Sequence, residues 1–111
     1  MERRREKRVN VAMASTLSMG DFFFEGKVEI VSRTGIKMSD IPQRFELCGG
    51  ECTTIIMGQG INFKLTVQPC WFHDGGLYKE VGFEIISPTI DWALFMDELD
   101  PRSADIWGST H

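Results

Sequence analysis

The segment that decides the fold is "INFKLTVQPCWFHDGGLYKEVGFEI", residues 61–85. The apolar residues of its first half fall at every second position, at Ile61, Phe63, Leu65 and Val67. The second half places Leu77, Val81, Phe83 and Ile85 on one face of a strand. A period of two is typical of strands with one buried face, and the Asp-Gly-Gly stretch between the halves is turn-forming. The segment therefore predicts an antiparallel hairpin.

The register of this hairpin is restricted by the pattern of side chains. Its two strands share a core face only if opposed residues have the same parity. This rule predicts a loop of three residues, 74–76, or of five, 72–76. It excludes a pairing of Val67 with Gly82, which would turn one apolar face into water.

The preceding sequence predicts further strands. In "DFFFEGKVEIVSR", residues 21–33, alternation is interrupted by three successive phenylalanines, so both faces of the strand are apolar there. Such a strand either runs through the middle of a two-layer core or meets another subunit. The Gly49–Gly50 pair between "QRFEL" and "TTIIM" predicts a second hairpin.

A helix is expected after the last strand, in "SPTIDWALFMDEL", residues 87–99. Ser87 followed by Pro88 is typical of a helix start, with a capping hydroxyl before a proline at the first helical position. An apolar stripe follows at Trp92, Phe95, Met96 and Leu99. Beyond it, "RSADIWGSTH" reads as a tail in which Ile106 and Trp107 are candidate anchors on the body or on a partner.

Together these elements predict a mainly β (α+β) domain. The expected architecture is one small antiparallel sheet or partly closed barrel of about five strands, packed by one C-terminal helix. We divide the chain into a basic, flexible N-terminal arm (1–20), a β-rich core ending in a helix (21–100) and a C-terminal tail (101–111).

Composition restricts the class of protein. The chain has 111 residues, of which 42% are hydrophobic and 25% charged, as in a single globular domain. No stretch is apolar enough for a transmembrane helix, so we predict no membrane partner. Three cysteines cannot form a complete disulfide framework, which favours a reducing compartment. We expect a cytoplasmic location, in the cell or in a host cell.

Charge is concentrated at the N-terminus. The first eight residues carry +3, whereas the rest of the chain carries −7. The basic positions of this arm are Arg3, Arg4, Arg5, Lys7 and Arg8. Such an arm can neutralise the phosphates of a nucleic acid. The alternatives are a solvated tail, or residues upstream of a natural start at Met13 or Met19.

Two short stretches, "CGGEC" and "CWFH", contain all three cysteines and one histidine. Cys48, Cys52, Cys70 and His73 match the donor types of a structural zinc site, supplied in pairs by two turns. The competing interpretation is that the cysteines are small buried apolar residues and that Gly49–Gly50 only makes a turn. Zinc is therefore an alternative, and no other cofactor is expected.

The sequence does not predict an enzyme. It contains no phosphate-binding glycine loop before a helix and no nucleophile elbow. We therefore predict a non-enzymatic binding protein: a small inhibitor or adaptor, of the kind that viruses and phages encode, which binds a protein partner and forms a homo-oligomer. The interface is expected at Phe22, Phe23, Phe24, Ile106 and Trp107. The alternatives are a zinc-stabilised domain and a nucleic-acid-packaging or coat-like protein that uses the basic arm.

Overall fold

The chain folds into a closed antiparallel barrel with one helix. The computed structural model describes residues 8–43, 45, 50–58 and 60–99. The elements are β1 (Val9–Met19), β2 (Phe22–Val31), β3 (Gly35–Pro42), β4 (Cys52–Gly58), β5 (Ile61–Asp74), β6 (Tyr78–Ile86) and α1 (Ile90–Leu99). The strand order around the barrel is β1-β2-β3-β6-β5-β4, and β1 pairs with β4 to close it.

This architecture confirms the predicted fold class, with six strands where about five were expected. The β5–β6 hairpin is present, and Val67 pairs with Ile85, so the parity rule holds as far as Pro69; beyond the bulge Trp71 pairs with Gly82 and the rule fails. The three-residue loop predicted at 74–76 would pair Val67 with Phe83. The observed partner, Ile85, is two residues further along β6. The difference arises because a bulge interrupts the register between Pro69 and Trp71, and the strands are joined through residues 75–77.

The core fills the barrel with the alternate residues of each strand. In β5 these are Phe63, Leu65 and Val67, as the sequence predicts, whereas Ile61, predicted on the same face, is exposed. Phe45 packs at the end where β2 begins, with its ring 5.4 Å from that of Phe24. The Nζ of Lys79, a buried residue, donates a hydrogen bond to the Phe45 carbonyl and so fixes this residue in place.

Helix α1 covers the opposite end. The stripe of Trp92, Phe95 and Met96 is buried, and the Trp92 and Phe95 rings lie 5.2 and 4.7 Å from that of Phe63. The Nε1 of Trp92 donates a 3.1 Å hydrogen bond to the carbonyl of Ser32, at the end of β2. The structure thus confirms the predicted helix and the face that it buries.

Two predictions made from the sequence need correction. Residues 9–19, assigned to the flexible arm, form β1 and take part in barrel closure, so the core domain begins at Val9 and not at residue 21. The predicted hairpin between "QRFEL" and "TTIIM" is also wrong, because β3 ends at Pro42 and β4 pairs with β1 and β5. In the part of the chain that the structure describes, no helix is long and apolar enough to cross a membrane.

Candidate functional site

A cavity of about 340 Å³ opens on the outer surface of the barrel, near the end covered by α1. Its lining comes from three parts of the chain: Arg8 before β1, the β2–β3 turn, and Trp71 of β5 beside Gly82 of β6. The volume is at the lower end of the roughly 300–1,000 Å³ of small-molecule sites. This cavity is the candidate functional site.

The β2–β3 turn is held firmly at the cavity. The N–H groups of Thr34 and Gly35 donate hydrogen bonds of 3.4 and 3.0 Å to Oγ of Ser32. The Ile85 N–H donates to the Thr34 carbonyl at 2.8 Å, which ties the turn to β6. Because Arg33 forms an ion pair with Asp97 of α1, the helix also fixes the turn. The turn is thus a rigid wall of the cavity.

Trp71 forms an aromatic floor beside this wall. It pairs with Gly82 across β5 and β6, immediately after the bulge in β5. A Cβ at position 82 would overlap the indole ring, so the ring lies directly on the glycine backbone. The side chain is nevertheless 46% exposed. One face of the ring is supported by protein, and the residue keeps surface open to a flat partner.

The charges around the cavity are mixed. Arg8 makes no ion pair with any described residue, whereas Lys37 lies 3.7 Å from Glu29 and 3.4 Å from Glu80. Glu84 also lines the cavity and is exposed. The charge of Lys37 is therefore largely neutralised, and Arg8 supplies the positive charge that a ligand would meet.

Arg8 is also the last residue of the basic arm. The other four basic positions, Arg3, Arg4, Arg5 and Lys7, lie outside the described residues. They precede Arg8 by one to five positions, and each extended residue spans at most about 3.6 Å. The arm is therefore joined to the barrel at the cavity.

The four proposed zinc ligands are not brought together among the described residues. Cys52 is buried in the barrel core, where it pairs with Val67, whereas Cys70 and His73 are exposed on β5. Cys48 lies outside the described residues. The described residues contain no group of three or more His, Cys, Asp or Glu side chains that could hold a metal ion.

The residues of the predicted interface differ in their positions. Phe22 and Phe23 are 62% and 66% exposed, as an interface requires, but Phe24 is a core residue. Phe24 is buried because it faces the barrel interior and packs on Phe45, so its assignment to an interface is wrong. Ile106 and Trp107 lie outside the described residues, and the homo-oligomer stays a prediction.

The tip of the β5–β6 hairpin is stabilised by one carboxylate. Asp74 accepts hydrogen bonds from the Gly76 N–H at 2.9 Å and from Nε2 of Gln43 at 2.7 Å. The bond from Gly76, followed by that from Gln43, lowers the pKa of Asp74 below its ordinary value, and nearby Lys79 acts in the same direction. The two hydrogen bonds therefore favour the charged form of Asp74 at the tip of the hairpin.

Comparison with solved structures places this barrel among known folds. The PilZ domain of YcgR from Escherichia coli, solved with c-di-GMP, matches with a TM-score of 0.71 and 15% identity. The match covers 99% of this chain and all of that one. The fold is PilZ-like.

Two longer proteins contain a similar barrel. Bacillus subtilis MotI (DgrA), an inhibitor of motility, matches with a TM-score of 0.76 and 11% identity over 95% of this chain and 53% of its own. PlzA of Borreliella burgdorferi, solved in complex with c-di-GMP, matches with a TM-score of 0.60 and 10% identity over 96% and 54%. This chain thus spans about half the length of each. No protein-family model matches it, and no curated protein matches it in sequence.

The sequence analysis identified Arg8 but missed the other parts of the PilZ-like barrel's cavity. Trp71 was not singled out, because "CWF" follows a regular strand and the bulge after Pro69 is not visible in the alternation. The Ser32–Gly35 turn was not singled out either. A proline in mid-strand next to an aromatic pair was the available signal, since proline in a sheet often marks a bulge.

Proposed function

We propose that this chain is a non-enzymatic effector domain that binds a cyclic dinucleotide of the c-di-GMP type in the cavity between Arg8 and Trp71. The observation that carries the proposal is that one cavity holds an arginine without an ion pair to any described residue and a supported, half-exposed indole. Such a ligand carries two phosphates and two purines on a ring that includes two riboses. It therefore needs both a cation and a flat apolar surface. The presence of c-di-GMP on the YcgR PilZ domain and on PlzA supports the choice of ligand.

Arg8 and the basic arm are assigned to the phosphates. A guanidinium binds phosphate oxygens with two parallel hydrogen bonds, which favours arginine at such a position. Glu29, Glu80 and Glu84 make the barrel surface itself unfavourable for an anion. Binding consequently depends on the arm, and it should weaken steeply with added salt.

Trp71 is assigned to a purine. Stacking of a base on an aromatic side chain contributes about 1–3 kcal/mol in nucleic-acid complexes. The ring is supported from beneath by Gly82, so its orientation is set before the ligand binds. The rigid Ser32–Gly35 turn forms the opposite wall.

The test is calorimetric titration of the full chain with c-di-GMP. We expect binding that weakens about tenfold or more in Arg8→Ala, since a hydrogen-bonded charge contributes about 1.5–3 kcal/mol. Trp71→Ala should weaken binding by a similar factor. Lys64→Ala removes the same charge from an exposed position on β5 that is not part of the cavity. It should therefore bind like the unmodified chain.

Two results would contradict the proposal. One is the absence of binding at low salt with 100-fold excess ligand. The other is an equal loss of affinity in Arg8→Ala and Lys64→Ala, which would show a non-specific charge effect. A single-stranded oligonucleotide in the same titration tests the nucleic-acid alternative, because an arm that binds phosphates without the cavity would bind it regardless of Trp71.

A protein-binding role as an inhibitor or adaptor is the second candidate. It is favoured by the exposed Phe22 and Phe23 at the end of the barrel away from α1, and by the likeness of the fold to MotI, an inhibitor of motility. The two roles are compatible, because the cavity and these phenylalanines occupy different parts of the barrel.

A further inference from the structure

A second concave surface lies near the other end of the barrel, where β2 begins and β3 ends. It encloses about 620 Å³ and includes Phe23, Glu25, Asp40, Pro42 and Tyr78 in its lining; we call it the Phe23–Tyr78 groove. A neighbouring cavity of about 410 Å³ shares Glu25 and Asp40 with it and continues over Ala12 and Ala14 of β1. The two carboxylates therefore lie in the middle of one extended depression.

The rim of the groove exposes aromatic surface to solvent. Phe23 is 66% exposed and Tyr78 is 52% exposed, and Pro42 pairs with Tyr78 between them. Exposed apolar surface gathered in a concavity is characteristic of protein-binding sites. Covering these rings would remove apolar area from water and so favour association.

The charge of the groove is negative. Neither Glu25 nor Asp40 makes an ion pair with a described residue, and both are exposed. The described cation nearby is Lys27, which lines the neighbouring cavity but lies beyond ion-pair distance of both carboxylates. The groove itself is lined by two acids and by no described basic residue.

Asp40 occupies its place at a conformational cost. Its φ is 61°, in the left-handed region, and the pairing of β3 with β6 is interrupted between Met38 and Ile41. Non-glycine residues rarely adopt this conformation, although Asp and Asn tolerate it best. The bulge thus presents a carboxylate between two apolar regions of the depression.

We propose that the Phe23–Tyr78 groove binds an arginine side chain carried by an extended, partly apolar segment of a partner protein. A guanidinium satisfies both features of the groove, because it pairs with carboxylates and stacks flat on aromatic rings. A lysine would pair with the carboxylates but would not stack in the same way. The site is independent of the cavity at Arg8, so failure of dinucleotide binding does not affect it.

The test uses the full chain, labelled with ¹⁵N, and the peptide acetyl-Leu-Arg-Phe-amide as the probe. The matched control peptide carries citrulline, which keeps the shape of arginine without its charge. We expect the arginine peptide to shift the amide resonances around Asp40 and Tyr78. The citrulline peptide should bind about tenfold more weakly, as expected for the loss of about 1.4 kcal/mol of charge-dependent interaction.

Variants assign the effect to the groove. Asp40→Asn retains tolerance of the left-handed backbone, so it removes charge with little disturbance, and Glu25→Gln does the same on β2. Each should weaken arginine-peptide binding several-fold. Glu98→Gln removes the same charge from an exposed position on α1 and should have no effect.

Four outcomes would overturn the proposal. Equal binding of the two peptides would rule out arginine recognition, and so would shifts of amide resonances only outside the groove. Groove resonances that move with protein concentration alone would identify a second copy of the chain as the occupant. Tighter peptide binding after deletion of residues 1–7 would identify the chain's own basic arm as the occupant.

Discussion

At the scale of single residues, the contact between Trp71 and Gly82 decides the shape of the cavity. Replacing Gly82 with alanine should displace the indole ring, because the new methyl group would occupy its position. The fold should survive, since the overlapping atoms belong to a half-exposed side chain that can swing into solvent. The chain has three tryptophans. When it is labelled with fluorotryptophan, the ¹⁹F spectrum of the variant should show one displaced resonance. Affinity for c-di-GMP should fall as far as in Trp71→Ala.

Gly50→Ala is the matched control, because a Cβ at Gly50 meets no atom of the described residues within 4 Å. It should leave both the ¹⁹F spectrum and the affinity unchanged. An unshifted spectrum in Gly82→Ala, or full affinity with a shifted one, would contradict the assignment of Trp71 to ligand binding.

Residue patterns predicted the buried positions of β5 apart from Ile61, which is exposed, as is Leu77 before β6. They failed where an inward position is polar. Ser15 and Thr54 are both buried and hydrogen bond to each other across the β1–β4 pairing that closes the barrel. Each hydroxyl provides the hydrogen-bond partner that the other needs when buried. In the sequence alone, however, a serine or threonine does not look like a core residue. The partner lies 39 residues away, and only the fold brings the two together.

At the scale of elements, helix α1 shows which part of a pattern is informative. Its apolar stripe correctly predicted the buried face, because burial depends on the spacing of several residues. Its start was predicted two residues too early. Ser87 has a φ of 55°, a left-handed conformation in which the chain turns away from β6, whereas a capping residue adopts an extended conformation. Thr89 is the cap instead.

The cap can be tested by exchanging hydroxyls for methyl groups. Oγ1 of Thr89 accepts a 3.2 Å hydrogen bond from the Trp92 N–H, and its carbonyl accepts the first helical bond from Ala93 at 3.1 Å. Thr89→Ala should lower the free energy of unfolding by about 1 kcal/mol. Ser87→Ala, the matched change at the position predicted from sequence, should alter it by less than about 0.5 kcal/mol. Urea denaturation measures both, and a larger loss in Ser87→Ala would move the cap back to Ser87.

Strand β1 was missed for a related reason. In "VNVAMASTLSM" the inward positions include Ser15, and the outward positions include Ala12 and Ala14, so polar and apolar residues do not separate by face. The adjoining basic run made the whole segment look like a solvated arm. The shift of register between Asn10 and Met13 weakens the alternation further.

At the scale of the whole molecule, one hairpin connects the two proposed surfaces. Trp71 of the cavity and Tyr78 of the groove both belong to the β5–β6 hairpin, whose residues 70–78 are all exposed. In the same hairpin, Nζ of Lys79 lies 4.9 Å from the centre of the Phe72 ring and donates a hydrogen bond to the Phe45 carbonyl. A ligand and a partner would therefore contact the same element from its two ends, while the closed barrel keeps the rest of the structure fixed.

Closure of the barrel also predicts how the chain responds to shortening. Deletion of residues 1–7 should leave the melting temperature nearly unchanged, because β1 begins at Val9. Deletion of residues 1–19 removes the strand that pairs with both β2 and β4, together with buried Met13 and Leu17. Loss of a single buried leucine costs about 2–5 kcal/mol, and small domains have only about 5–15 kcal/mol of stability. The shorter chain should therefore lose its cooperative thermal transition by circular dichroism and bind a hydrophobic dye. A cooperative transition at an unchanged temperature would instead mean that residues 9–19 are the dispensable arm that the sequence first suggested.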